Sequence, residues 1–69
     1  MVNIIICDDN DKDRASVLEI VDNFMKKNSI DYKTYCYNDY NKKFYDIMDN
    51  KMPFKIYLLD IIYILMCYL

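Results

Sequence analysis

Three aspartates that follow runs of apolar residues are the side chains of this chain best suited to chemistry. The run over residues 2–7 ends at Asp8 and Asp9, and the run over residues 56–59 ends at Asp60. Clustered carboxylates raise one another's pKa unless a cation lies among them. Mg²⁺ prefers oxygen ligands and usually takes one or two carboxylates together with water and phosphate oxygens. If the three side chains meet, the sequence predicts a magnesium site with Asp8, Asp9 and Asp60 as ligands.

The two apolar runs have the character of buried β-strands. Both are short and β-branched or aromatic, and both lack the strict alternation of a half-exposed strand. Such runs are typical of strands that are buried on both faces of a parallel sheet. Ligands of open parallel sheets bind beyond the carboxyl ends of the strands, where the strand order reverses. If the strands over residues 2–7 and 56–59 are neighbours, the aspartates that follow them share one crevice.

The stretch after the first strand has helical periodicity. Apolar residues recur at spacings of three and four over residues 11–27, which predicts one apolar helix face. Asn10 and Asp11 are the candidate N-caps, because their side chains can accept hydrogen bonds from the free amides of a first turn. The predicted apolar face comprises Val17, Leu18, Val21, Phe24 and Met25.

Two further elements are predicted before the last strand. Residues 30–37 alternate in part and are rich in tyrosine and threonine, which suits a strand near a sheet edge. Asn38 and Asp39 give a cap signal for a second amphipathic helix over residues 40–50. The order β-α-β-α-β with short connections predicts an α/β fold with a parallel sheet and right-handed crossovers.

The amino-acid composition argues against nucleic-acid binding and against structural zinc or disulfides. The net charge is −2 and no basic stripe is present, so nucleic-acid binding by this chain itself is not expected. Three cysteines without zinc-ligand spacing, in a chain without histidine, argue against structural zinc and against a disulfide framework, and favour the cytoplasm. Cys7 is expected to be a small buried hydrophobe, because the neighbouring acids disfavour its thiolate.

The C-terminal segment does not fit the pattern of the rest. Residues 61–69 are apolar throughout and contain no turn residue. Counted with the last strand, the apolar stretch is interrupted by Asp60 and falls short of the roughly 17–25 residues that cross a bilayer, so no membrane span is expected. The chain also has no glycine, against a usual share of roughly 7%. A domain over residues 1–61 that is only part of a larger fold, followed by an atypical tail over residues 62–69, is therefore expected.

With these motifs, the sequence resembles the N-terminal half of a two-component response-regulator receiver domain. The resemblance is carried by the acidic pair Asp8-Asp9 after the first strand, by the first helix pattern and by the strand that ends at Asp60. The opening residues are most similar to receivers of bacterial regulators with a LytTR-type DNA-binding domain. The resemblance covers residues 1 to about 61 and implies a flavodoxin-like three-layer sandwich, here cut to its first β-α-β-α-β elements.

The resemblance also implies a role for each site residue. Asp60 matches the phosphoacceptor, which takes a phosphoryl group from a sensor histidine kinase and makes the chain a signalling domain rather than an enzyme. Asp9 matches the direct Mg²⁺ ligand and Asp8 its partner, which usually acts through water. Ile62 matches the residue whose backbone carbonyl binds the metal. The family's later Ser or Thr and Lys have no counterpart, and Lys55 lies at the wrong end of its strand to substitute, so impaired activity is expected.

Other interpretations of the same residues remain open. Asp8 and Asp9 could simply be an N-cap cluster for the following helix, and Asp60 could be an ordinary carboxylate at a strand end. A different class of function is a non-catalytic interaction protein that docks its apolar tail on a partner or a membrane surface. In that case Asp60→Asn would change nothing, and removal of residues 61–69 would abolish association.

Overall fold

The chain folds as an α/β unit whose elements follow the predicted order. A computed structural model describes residues 1–60. The elements are β1 (Val2–Cys7), α1 (Asp11–Lys27), β2 (Tyr32–Tyr37), α2 (Lys42–Asp49) and β3 (Lys55–Leu59). The strands form one parallel sheet in the order β2-β1-β3, so β1 is central and β1 and β3 are neighbours. Within residues 1–60 no helix has the length and apolar character needed to cross a membrane.

The strand register places the ends of β1 and β3 side by side. Cys7, the last residue of β1, pairs with Leu59, the last residue of β3. The backbone amide of Asp60 then donates to the carbonyl of Cys7 at 3.2 Å, and the amide of Asp8 donates to the carbonyl of Tyr37 at 3.1 Å. The chain therefore leaves β1 and β3 at the same level of the sheet.

The two faces of β1 form two separate cores. Because side chains alternate between the faces of a strand, Ile4 and Ile6 pack with Met25 of α1 while Ile5 and Cys7 pack with Phe44 of α2. The buried character that its sequence predicts for β1 is confirmed, since its last five residues are all buried. The helices cover opposite faces of the sheet, which gives three layers.

Helix α1 begins where its capping residue predicts. The side chain of Asn10 accepts a hydrogen bond from the amide of Asp13 at 3.0 Å. At the other end the amide of Ile30 donates to the carbonyl of Met25, so Ile30 belongs to the helix end and β2 starts two residues later than predicted. The assignment of Phe24 to the packed face is also wrong: its side chain is 58% exposed, because α1 packs through its other apolar residues.

Helix α2 begins later than the sequence predicts. Its N-cap is Asn41, whose side chain accepts from the amide of Phe44 at 3.2 Å, and not Asn38 or Asp39. When the third helical amide donates to the side-chain oxygen of the N-cap, one free donor of the first turn is satisfied, which fixes the start at Lys42. Tyr40 therefore lies in the connection before the helix.

The expectation that β3 is buried on both faces is wrong for the part of the chain that the structure describes. Ile56 is 46% exposed and Leu58 is 37% exposed, whereas Tyr57 and Leu59 pack on the core beneath α2. Helix α1 packs over β1 and β2, and β3 is an edge strand among residues 1–60. One face of β3 is therefore open, and with Ile20 of α1 it lines an apolar groove of about 220 Å³.

An open edge strand with exposed apolar side chains predicts self-association. Unpaired strand edges are templates for pairing with other chains, and a charged side chain on the edge opposes it. We expect Ile56→Lys to shift the protein toward monomer by at least about threefold in apparent association constant, as measured by light scattering over a concentration series. Ile20→Lys, in the same groove but on α1, is the control. Equal effects of both variants would assign association to the groove rather than to the strand edge.

Candidate metal centre

The three aspartates singled out by the sequence converge at one end of the sheet. Asp8, Asp9 and Asp60 each offer one carboxylate oxygen, and these oxygens all lie within 4.8 Å of one another. Asp8 is half-buried, and Asp9 and Asp60 are exposed. The convergence follows directly from the register of β1 and β3, because each aspartate comes immediately after its strand.

The spread of the oxygens suits a small hard cation. Mg²⁺ binds oxygen at 2.0–2.1 Å in an octahedron, so opposite ligands lie about 4.2 Å apart. Three oxygens within 4.8 Å can reach such an ion after a small side-chain rotation, or with one of them acting through water. All three donors are carboxylates, which is the chemistry that Mg²⁺ and Ca²⁺ select over the softer metals.

The charge around the cluster also favours a cation. Among residues 1–60 no lysine or arginine forms an ion pair with these three carboxylates. The guanidinium of Arg14 pairs with Asp11 instead, at 2.5 Å. Lys55 is engaged at the opposite end of β3, where its Nζ donates to the carbonyls of Met48 at 2.7 Å and Asn50 at 2.6 Å. The expectation that Lys55 lies at the wrong end of its strand is therefore confirmed.

Backbone and side-chain hydrogen bonds hold Asp8 in place. The amide of Asn10 donates to Oδ1 of Asp8 at 2.9 Å, and Nη1 of Arg14 donates to the Asp8 carbonyl oxygen at 2.8 Å. Asn10 is also the N-cap of α1. The cap of α1 is thus Asn10 and neither Asp8 nor Asp9, although Asp8 supports the helix start by accepting the amide of that cap residue.

Asp60 has a partner that sequence analysis missed. The hydroxyl of Tyr40 donates a hydrogen bond to Oδ1 of Asp60. The ring of Tyr40 packs edge-on against Phe44, with centroids 5.0 Å apart and an angle of 85° between the planes. The sequence placed Tyr40 inside the second helix, and no local pattern distinguishes it from the other tyrosines. Its role depends on the fold, which brings the connection after β2 beside the end of β3.

Cys7 lies beneath the cluster and is not a candidate nucleophile. Its side chain is almost fully buried. Burial raises the pKa of the Cys7 thiol, and the negative charge of Asp60 raises it further, while a hydrogen bond with Tyr40 acts in the opposite direction. The expectation of a small buried hydrophobe at this position is confirmed, because a thiol with a raised pKa is a poor source of thiolate.

The carboxylates open onto a cleft that has room for a ligand. The cleft has a volume of about 610 Å³ and lies beyond the ends of β1 and β3. Its charged lining is acidic and includes Asp13 besides the three clustered aspartates, and its apolar wall includes Val17 and Leu58. Since a water molecule takes about 30 Å³, the cleft can hold a hydrated cation and a phosphoryl-sized group together.

One site prediction falls beyond the described part of the chain. Ile62, predicted to give a backbone carbonyl to the metal, lies outside residues 1–60, as do the predicted domain boundary at residue 61 and the tail over residues 62–69.

Comparisons with protein-family models, with curated proteins and with solved structures gave no match. The interpretation of the cluster therefore depends on its geometry and on the residues that carry the sequence resemblance.

Proposed function

We propose that this chain is a phosphoacceptor receiver of a two-component phosphorelay. In this proposal Asp60 takes a phosphoryl group from a sensor histidine kinase in the cytoplasm, with Mg²⁺ bound by Asp8 and Asp9. The observation that carries the proposal is the meeting of three carboxylates within 4.8 Å at the carboxyl ends of two neighbouring parallel strands. Ligands of open α/β sheets bind at such a position.

The strand order supports the finer part of the proposal, a flavodoxin-like receiver fold. Flavodoxin-like sheets have the order 2-1-3-4-5, and the observed order β2-β1-β3 agrees with its first three positions. The helices also lie on opposite faces of the sheet, as in a doubly wound fold. Asp8 and Asp60 then flank the point where the strand order reverses.

Each aspartate has a distinct role in the proposed reaction. An oxygen of Asp60 attacks the phosphorus of the kinase phosphohistidine, the phosphorus–nitrogen bond breaks, and the histidine nitrogen keeps the electron pair. Asp60 is exposed, so a donor can approach it. Asp8 and Asp9 would hold the cation, since their carboxylate oxygens lie within 4.8 Å of an oxygen of Asp60. Mg²⁺, when bound, offsets the negative charge shared by the carboxylate and the phosphoryl group.

A titration with Mg²⁺ and the phosphoryl mimic beryllofluoride tests the proposal. Because the sequence resemblance implies impaired activity, we expect weak but specific one-to-one binding by the full chain. The binding is followed by NMR at the amides of Asp8, Asp9 and Asp60. Asp9→Asn should weaken Mg²⁺ binding by about tenfold or more, because one ligand charge is lost.

The control for this titration is a carboxylate that lines the same cleft outside the cluster. Asp13→Asn removes the same charge from the first turn of α1 and should change the affinity by less than about twofold. An equal loss in Asp13→Asn and Asp9→Asn would indicate diffuse attraction by an acidic surface and would contradict a specific site.

A second candidate function is a non-catalytic interaction protein, and one observation favours it. Ile20, Phe24, Ile56 and Leu58 form an exposed apolar surface on the described residues. Such surfaces often mark sites of protein association. Under this alternative Asp60→Asn leaves partner binding unchanged, whereas a phosphoacceptor loses its signal. The predicted docking tail itself lies outside the described residues.

A further inference from the structure

The side chain of Asp60 is held by a residue that is itself anchored in the core. Tyr40 packs its ring against Phe44, which is only 2% exposed, and its hydroxyl donates to Oδ1 of Asp60. Among the side chains of residues 1–60, Tyr40 provides the hydrogen bond to this carboxylate. An exposed aspartate without such a bond would exchange between staggered rotamers.

We propose that Tyr40 is a positioning residue that fixes the Asp60 carboxylate toward Asp8 and Asp9 before a ligand binds. This inference depends on the proposed function, in which Asp60 acts together with a cation held by the other two aspartates. A side chain already in its binding rotamer loses less conformational entropy when the ligand arrives. Tyrosine suits this task because it has few rotatable bonds and an apolar ring that packs while the hydroxyl reaches the surface.

The position of Tyr40, and not its aromatic character, confers this role. Tyr37 and Tyr45 also pack edge-on against Phe44, with centroids 5.8 Å and 5.6 Å away. The hydrogen bond to Asp60 nevertheless comes from Tyr40, which lies in the connection between β2 and α2. Tyr45 is exposed on α2 and provides a matched control, because Tyr45→Phe removes a hydroxyl from the same aromatic cluster.

The test compares Tyr40→Phe with Tyr45→Phe in the full chain. Tyr40→Phe keeps the ring contact with Phe44, so the melting temperature should change little. Three-bond NMR couplings report the χ1 rotamer of Asp60 in the metal-free protein. We expect a single rotamer in the parent and in Tyr45→Phe, and averaging in Tyr40→Phe. The affinity for Mg²⁺ should fall about three- to tenfold in Tyr40→Phe alone, which is the cost of immobilising one side chain on binding.

Three outcomes would overturn the inference. One is an Asp60 side chain that already averages between rotamers in the parent protein. Another is an unchanged Asp60 rotamer in Tyr40→Phe. The third is tighter Mg²⁺ binding by Tyr40→Phe, which would make Tyr40 an obstacle to the ion. If the parent binds no Mg²⁺ at all, the proposed function fails, and the couplings still decide whether Tyr40 positions Asp60.

Discussion

Asp60→Asn is expected to abolish phosphoryl transfer to this chain. The substitution keeps the size of the side chain but replaces the carboxylate that we propose as the nucleophile with a neutral amide. The backbone hydrogen bond from residue 60 to Cys7 involves no side-chain atom, so the end of β3 should stay in place. Incubation with a small acyl phosphate and Mg²⁺, followed by intact-mass spectrometry, should show one added phosphoryl group on the parent chain. The rate for the variant should fall by about a hundredfold or more.

The same experiment contains its own controls. Asp13→Asn should be labelled at a rate close to that of the parent, because Asp13 lines the cleft without belonging to the three-carboxylate cluster. Peptide mapping should place the label on Asp60. A label that persists in Asp60→Asn, or that maps to Asp8 or Asp9, would show that the acceptor has been assigned to the wrong carboxylate.

The largest effect on stability is expected for Phe44→Ala. Phe44 is 2% exposed and is the α2 residue buried against Ile5 and Cys7 of the central strand. Truncation of a buried phenylalanine to alanine costs about 3–5 kcal/mol. Hydrophobic packing in a chain of this size rarely supplies more than about 3–5 kcal/mol of net stability. We therefore expect the variant to be largely unfolded at 25 °C, with loss of helical circular dichroism and of dispersed NMR signals.

Phe24→Ala is the matched control for this prediction. It makes the same substitution on α1, but Phe24 is 58% exposed, so little apolar surface leaves a packed environment. Its free energy of unfolding should change by less than about 1 kcal/mol, as is usual for surface positions. Similar melting temperatures for the two variants would show that the packing between α2 and the sheet contributes little to stability.

The sequence alone determined the order of the elements and the placement of the acidic residues. Periodicity and capping act over a few neighbouring residues, so the apolar run before Asp8 and the side chain of Asn10 indicated β1 and the start of α1 correctly. Parallel strands leave a sheet at the same edge, so aspartates that follow two strands could be expected to meet once those strands were taken as neighbours.

The tertiary structure decided which surfaces are covered and which side chains meet across the chain. The exposed face of Ile56 and Leu58 depends on what packs over β3, and the approach of Tyr40 to Asp60 joins residues far apart in sequence. Several asparagines and aspartates before α2 are equally able to cap a helix, so only the structure shows that Asn41 is the cap and that α2 starts at Lys42. Local sequence patterns reflect the regular repeat of the backbone within one helix or strand. Burial and long-range hydrogen bonds arise only when the helices pack on the sheet.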